Sequence, residues 1–171
     1  MSDSPLPLDI LDSATEVLER ARAKHAMIAT AESCTGGLIV GSLTEIAGSS
    51  DVVDRAFITY SNDAKMAMLG VTEQALRDYG AVSEQVARAM ASGALFQSNA
   101  KLAVSCTGVA GPGGGTPEKP VGLVHMAIAS RLNDDTPMIL HHEARFGELS
   151  RADIRLATVR QAHRMLLKAL S

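Results

Sequence analysis

Aromatic residues make up only 3% of the 171 residues, and there is no tryptophan. Binding of single-stranded nucleic acid relies on aromatic stacking platforms, so this scarcity argues against such a partner. Positive charge is not in excess either. Sixteen Lys and Arg against 19 Asp and Glu give a formal net charge of -3, so no basic stripe marks a nucleic-acid face. No apolar run approaches the roughly 20 residues that span a bilayer, so no membrane partner is expected. Two cysteines in a chain this long do not form a disulfide framework, which fits a reduced cytoplasm. Met1 to Pro7 carries no basic n-region, so a loose lead-in is expected there rather than a signal peptide. What the chain does have is 46% hydrophobic and 20% charged residues, ordinary for a globular protein. One domain over residues 1–171 is expected, its core built from Ala, Leu, Val, Ile and eight Met.

Strand-like and helix-like stretches alternate. Apolar spacing predicts a helix over Asp9–Lys24, with Ile10, Leu11, Ala14, Val17, Leu18 and Ala21 on one face. A buried strand follows at Ala26–Ala29, then a helix over Gly37–Ile46, stopped by Ala47–Asp51. Arg55–Tyr60 reads as a second strand. Ser61-Asn62-Asp63 supplies an N-cap cluster for a helix over Ala64–Leu69, which Gly70 closes. Thr72–Tyr79 and Ser83–Asn99 read as helices, and Lys101–Cys106 as the third strand. Thr107–Pro117 is too rich in Gly and Pro to be regular and too long for a simple hairpin turn. Gly122–Ser130 and Met138–Phe146 read as a hairpin around Asn133–Pro137, and a long helix over Ser150–Leu170 ends the chain. This order predicts an α/β layered fold with parallel pairs, made mixed by the final hairpin. In open α/β sheets, ligands bind beyond the carboxyl ends of the strands. Three segments gather there: Glu32–Gly37, Tyr60–Lys65 and Cys106–Gly115.

Ser33 sits where a strand turns into a helix. The first N–H groups of that helix suit an anion or a developing oxyanion, and Gly36 and Gly37 leave room for a ligand. The plainer reading is an N-capping hydroxyl before a packed helix. A serine needs a base beside it, and Lys65 can be that base if burial makes its neutral form accessible. Tyr60 is placed to relay a proton or orient the amine. Lys65 as a solvated helix lysine, and Tyr60 as a half-buried strand-end aromatic, are the bland alternatives. Cys34 lies at a helix start but reads better, like Cys106, as a small buried hydrophobe. His141 and His142 point to opposite faces of a strand and cannot chelate one ion, so no metal is expected. The 108–115 loop has neither a P-loop nor a GxGxxG order, yet its N–H groups could form an anion nest. Arg145, Arg151 and Arg155 supply positive charge nearby, although Arg151 and Arg155 also fit a surface pair four residues apart on the last helix.

Thr30-Ala31-Glu32-Ser33-Cys34-Thr35-Gly36-Gly37, Tyr60-Ser61-Asn62-Asp63-Ala64-Lys65 and Thr107-Gly108-Val109-Ala110-Gly111-Pro112-Gly113-Gly114 resemble the C-terminal domain family of competence-damage protein CinA. The resemblance runs from about residue 10 to 170. It implies a three-layer α/β/α sandwich with a mixed, mostly parallel sheet. It also implies a nicotinamide-nucleotide amidase that converts nicotinamide mononucleotide to nicotinate mononucleotide and ammonia without a cofactor. The catalytic residues it implies are Ser33 as nucleophile, Lys65 as base and Tyr60 as assistant. Thr35, Gly36, Gly37, Thr107, Gly111, Gly113, Gly114 and Arg151 would contact substrate, and a homo-oligomer is the usual form. One departure is visible: the family's Gly-Asp-Arg run before the last helix is here Gly147-Glu148-Leu149-Ser150-Arg151, with only Arg151 retained in a changed setting. A non-catalytic nucleotide-binding domain is the rival expectation.

Overall fold

The computed structural model describes residues 3–133 and 136–171. In chain order the elements are α1 (Leu8–Ala23), β1 (Ile28–Glu32), α2 (Leu38–Thr44), β2 (Val53–Ile58), α3 (Asn62–Leu69), α4 (Glu73–Tyr79), α5 (Glu84–Phe96), β3 (Leu102–Gly108), β4 (Leu123–Ser130), β5 (Met138–Arg145) and α6 (Arg151–Ala169). The strands form one sheet in the order β2-β1-β3-β4-β5. β1 pairs parallel with β2 and β3, while β4 is antiparallel to both β3 and β5. Four strands therefore run one way and β4 runs against them. The turn expected at Asn133–Pro137 includes positions 134 and 135, which lie outside the described residues, as do positions 1 and 2 of the lead-in.

Strand alternation sorts the core into two layers. Ile28, Val104, Met126 and Ile128 face α1, α2 and α6, where Ile10, Leu18, Ile39, Ile154 and Leu166 meet them. Ala29, Ala31, Ala103, Ala127 and Ala129 face α5, packing on Val86, Met90 and Ala94. Small side chains on that sheet face let α5 approach closely. The result is the three-layer α/β/α sandwich expected from the resemblance. No described helix is long and apolar enough to cross a membrane.

The first strand differs from its expected bounds. It begins at Ile28 and continues through Thr30 to Glu32, all five residues buried. Periodicity in a short apolar run cannot show where a buried strand ends, and here backbone pairing to β2 and β3 carries it into polar residues. Four helix starts follow their caps: Ser61, Thr72, Ser83 and Ser150 each accept from the N–H three residues on.

One buried polar residue ties three helices together. His163 of α6 is fully enclosed, with Nδ1 2.7 Å from the Ser13 hydroxyl of α1 and Nε2 2.9 Å from the Ser42 hydroxyl of α2. Burial pushes its pKa down to about 4. The unfolded chain takes up this proton near pH 6.5, whereas the folded chain resists it until about pH 4. His163 should therefore cost stability as pH falls through that window, by up to about 1.4 kcal/mol per unit. Burial holds His125 and His141 down as well, so the protein keeps some of this slope without His163. Chemical denaturation at pH 7 and pH 5 checks it: His163→Gln should show a smaller difference between the two than the parent.

Candidate active site

The carboxyl ends of β1, β2 and β3 form one rim. Ser33 N–H donates to the Cys106 carbonyl (3.1 Å), and Thr59 N–H donates to the Glu32 carbonyl (2.9 Å). These bonds carry the sheet one step past β1 and fix the start of the Ser33 turn beside both neighbouring strands. Two left-handed glycines, Gly36 (φ 57°) and Gly37 (φ 103°), then swing the chain into α2. Any other residue would be strained in these conformations.

Lys65 projects from α3 into this rim. It is 1% exposed and Ser33 is 9% exposed. The Lys65 Nζ lies 3.1 Å from Ser33 Oγ and 2.9 Å from the Thr59 carbonyl oxygen. No carboxylate pairs with it among the described residues. Burial pushes the Lys65 amine below its ordinary value, opposed by the nearby thiols of Cys106 and Cys34. A desolvated amine without a counter-ion, in contact with a serine hydroxyl, is the arrangement a Ser–Lys pair needs. The solvated-lysine reading is not what the fold adopts.

The seat of α3 depends on Gly93 in α5. A Cβ there would lie 2.0 Å from the Leu69 carbonyl oxygen at the end of α3. Gly93→Ala must push α3 outward and should destabilise the fold by about 1–3 kcal/mol. Thermal unfolding measures that cost. A kinetic assay should show turnover falling too, because Lys65 rides on the displaced helix.

The turn's donors are deployed differently from the expectation. Ile39 and Val40 N–H, at the start of α2, both donate to the buried Glu32 carboxylate, at 2.9 and 3.0 Å. They are not free for a substrate anion. Ser33 is not the helix cap either, since the N-cap position is Gly37. Alternation explains the split: Glu32 faces the α2 layer and the next residue faces the other way, towards α3.

The remaining expected site residues fall into two groups. Thr35 is fully buried, with its hydroxyl on Glu32 Oε1 (2.7 Å), and the Thr107 hydroxyl donates to the Ala81 carbonyl (2.8 Å). Both side chains brace the scaffold. By contrast Arg151, Tyr60 and Gly111 converge. Arg151 donates from Nη1 to the Gly111 carbonyl and from Nη2 to the Tyr60 hydroxyl, each at 2.8 Å. Gly113 and Gly114 are exposed beside a hollow of about 360 Å³, which Glu148 also lines. Tyr60 is not brought to the amine. Thr59 turns inward and Tyr60 outward, leaving Tyr60 60% exposed. Arg145 is taken by Glu143 at 2.6 Å, whereas Arg155 reaches back to the Thr35 carbonyl (2.9 Å). Arg151 and Arg155 have no carboxylate partner among the described residues.

Cys34 and Cys106 are buried and unbridged. Contact with the Cys106 sulfur, together with burial, holds the Cys34 thiol well above its ordinary value. It is no thiolate nucleophile at neutral pH.

Residues 11–170 match the family model for the CinA C-terminal domain. The chain belongs to the CinA C-terminal domain family. The crystal structure of competence/damage inducible protein CihA from Agrobacterium tumefaciens superimposes on this CinA domain with a TM-score of 0.92, at 56% identity over 98% of both chains. Nicotinamide-nucleotide amidohydrolase PncC of Enterobacter agglomerans is 53% identical over 116 residues, which is 68% of this chain and 71% of that relative. A CinA-like protein of Syntrophobacter fumaroxidans is 57% identical over 112 residues, 66% of this chain but 26% of its own length. This CinA domain spans about a quarter to a third of the length of several curated relatives it matches.

Proposed function

We propose that this CinA domain is an amidohydrolase that releases ammonia from the carboxamide of nicotinamide mononucleotide through a Ser33 acyl-enzyme. The observation that carries the reading is the 3.1 Å contact between a counter-ion-free, buried Lys65 amine and the Ser33 hydroxyl. The substrate is read from the amidohydrolase of Enterobacter agglomerans.

In the first half-reaction, neutral Lys65 takes the Ser33 proton as Oγ bonds to the carboxamide carbon. Charge develops on the amide oxygen. Within the turn, the backbone N–H groups of Cys34, Thr35 and Gly37 have no backbone acceptor among the described residues and are the donors offered to it. Losing one donor of this kind costs roughly 3 kcal/mol of barrier. Protonated Lys65 then passes its proton to the departing nitrogen, the C–N bond breaks and ammonia leaves. Water attacks the Ser33 ester with Lys65 again as base. Oγ regains its proton, and nicotinate mononucleotide departs. No step draws on a metal or an organic cofactor.

The guanidinium of Arg151, held at the exposed Tyr60–Gly111 corner with no carboxylate partner among the described residues, gives the nucleotide's phosphate a favourable approach. Glu148 at the neighbouring hollow works against an anion there, so the phosphate belongs on the Arg151 side. An ammonia-release assay with nicotinamide mononucleotide and free nicotinamide in parallel tests the reading. Release from the nucleotide, with little from nicotinamide, is expected. Calorimetric binding of the nucleotide with no ammonia would instead mark a non-catalytic binding domain.

A further inference from the structure

Glu32 is 0% exposed and lies in a strand otherwise built from Ile28, Ala29, Thr30 and Ala31. Its carboxylate accepts four hydrogen bonds. Thr35 Oγ1 (2.7 Å) and Ile39 N–H (2.9 Å) donate to Oε1, while Thr30 Oγ1 and Val40 N–H, both at 3.0 Å, donate to Oε2. Four donors fill the accepting capacity of a carboxylate. Because the Thr35 hydroxyl's single proton goes to Glu32, the 3.1 Å contact between Thr35 Oγ1 and Cys106 Sγ has the thiol as donor. The carboxylate also neutralises the positive end of α2.

The placement of these bonds is what matters. They start from residue 32, reach residue 35 in the middle of the turn, and end on residues 39 and 40 beyond it. Between those points lie Ser33 and the two glycines whose left-handed conformations give the turn its freedom. We infer that Glu32 is a positioning residue: its carboxylate closes the Ser33 turn into a rigid ring and holds Ser33 Oγ at its contact with Lys65. Glu32 touches no substrate. Its action passes through the turn, and the inference rests on the acyl-transfer reading above.

The test separates this role from folding and from the reading it rests on. A fluorophosphonate probe phosphonylates an activated serine: the Oγ–P bond forms, the P–F bond breaks, fluoride leaves, and the serine proton passes to the base. Intact-mass analysis gives the labelling rate at Ser33 without any amide substrate. Glu32→Gln keeps the shape but turns an N–H₂ towards one pair of donors. It is expected to lower both the labelling rate and kcat for ammonia release at least about tenfold, as small displacements of reacting groups do. KM should stay within about twofold, because no substrate contact is lost. The acid limb of the pH profile should stay in place, since Lys65 is unchanged. Equal labelling and kcat in a folded Glu32→Gln protein would overturn the inference and leave acyl transfer standing. Failure of the parent to label at Ser33 would sink acyl transfer itself. If Glu32→Gln does not fold by circular dichroism, Thr30→Val removes a single donor to the same carboxylate. A smaller fall in kcat at constant KM is expected there, and an unchanged kcat would contradict the role.

Discussion

Ser33→Ala is expected to abolish ammonia release from nicotinamide mononucleotide while the protein remains folded. The loss should be at least about a thousandfold in kcat, because the proposed acyl-enzyme needs the Ser33 hydroxyl. Cys34, the adjacent side chain, is disqualified by burial and by its contact with Cys106, which keep it a thiol at neutral pH. Removing the hydroxyl should cost little stability. Lys65 Nζ keeps its bond to the Thr59 carbonyl, and the backbone bond from Ser33 to Cys106 does not involve the side chain. Thermal unfolding within a few degrees of the parent, alongside lost turnover, is the predicted pair of results. Parent-like turnover would mean that water or another residue attacks directly.

The second large effect belongs to Lys65. Lys65→Met keeps the buried stem and removes the base, which should lower kcat by about 10²–10⁴-fold. Lys65→Arg should be as inactive, since a guanidinium holds its proton at any working pH. The pH dependence follows from the direction of the shift. Burial lowers the folded pKa of Lys65, so the neutral, active form appears at lower pH than for a free lysine. Parent kcat/KM should therefore fall as pH drops through that lowered value. The stability sign is separate. The unfolded chain holds this proton up to about pH 10.4 and the folded chain releases it sooner, so the amine detracts from stability below that pH. The penalty shrinks as pH rises. Lys65→Met removes it but leaves the Thr59 carbonyl one donor short, so the two effects oppose each other. A profile of kcat/KM against pH, with unfolding midpoints at the same pH values, measures both.

Much of this arrangement was legible in the residues. Alternation of apolar strands and amphipathic helices gave the layers, and the final hairpin gave the reversed β4. Placing Ser33, Lys65 and the 108–115 loop at strand carboxyl ends required only the parallel order of β2, β1 and β3. What could not be read was which way individual side chains turn. Thr35 and Thr107 look like ligand-facing hydroxyls by type, yet backbone and carboxylate partners inside the fold claim them. Tyr60 looked like a partner for the amine, but one step of alternation beyond β2 sends it to Arg151 instead. Glu32 carries no motif of its own, because a lone acid next to a serine does not show which layer its side chain enters. The available signal was its setting, a carboxylate ending an apolar strand, three residues before the Thr35 hydroxyl and six before the start of a helix. Gly93 carried no signal, because its requirement comes from α3, which is distant in sequence.

The central claim is that Ser33 and Lys65 act as one chemical unit. A double-substitution cycle tests it most directly: kcat/KM for ammonia release from nicotinamide mononucleotide, measured for the parent, Ser33→Ala, Lys65→Met and the double variant. The account predicts that the double variant is no slower than either single one, because each alone already disables the unit. Losses that multiply, or a Ser33→Ala protein that turns over like the parent, would contradict it.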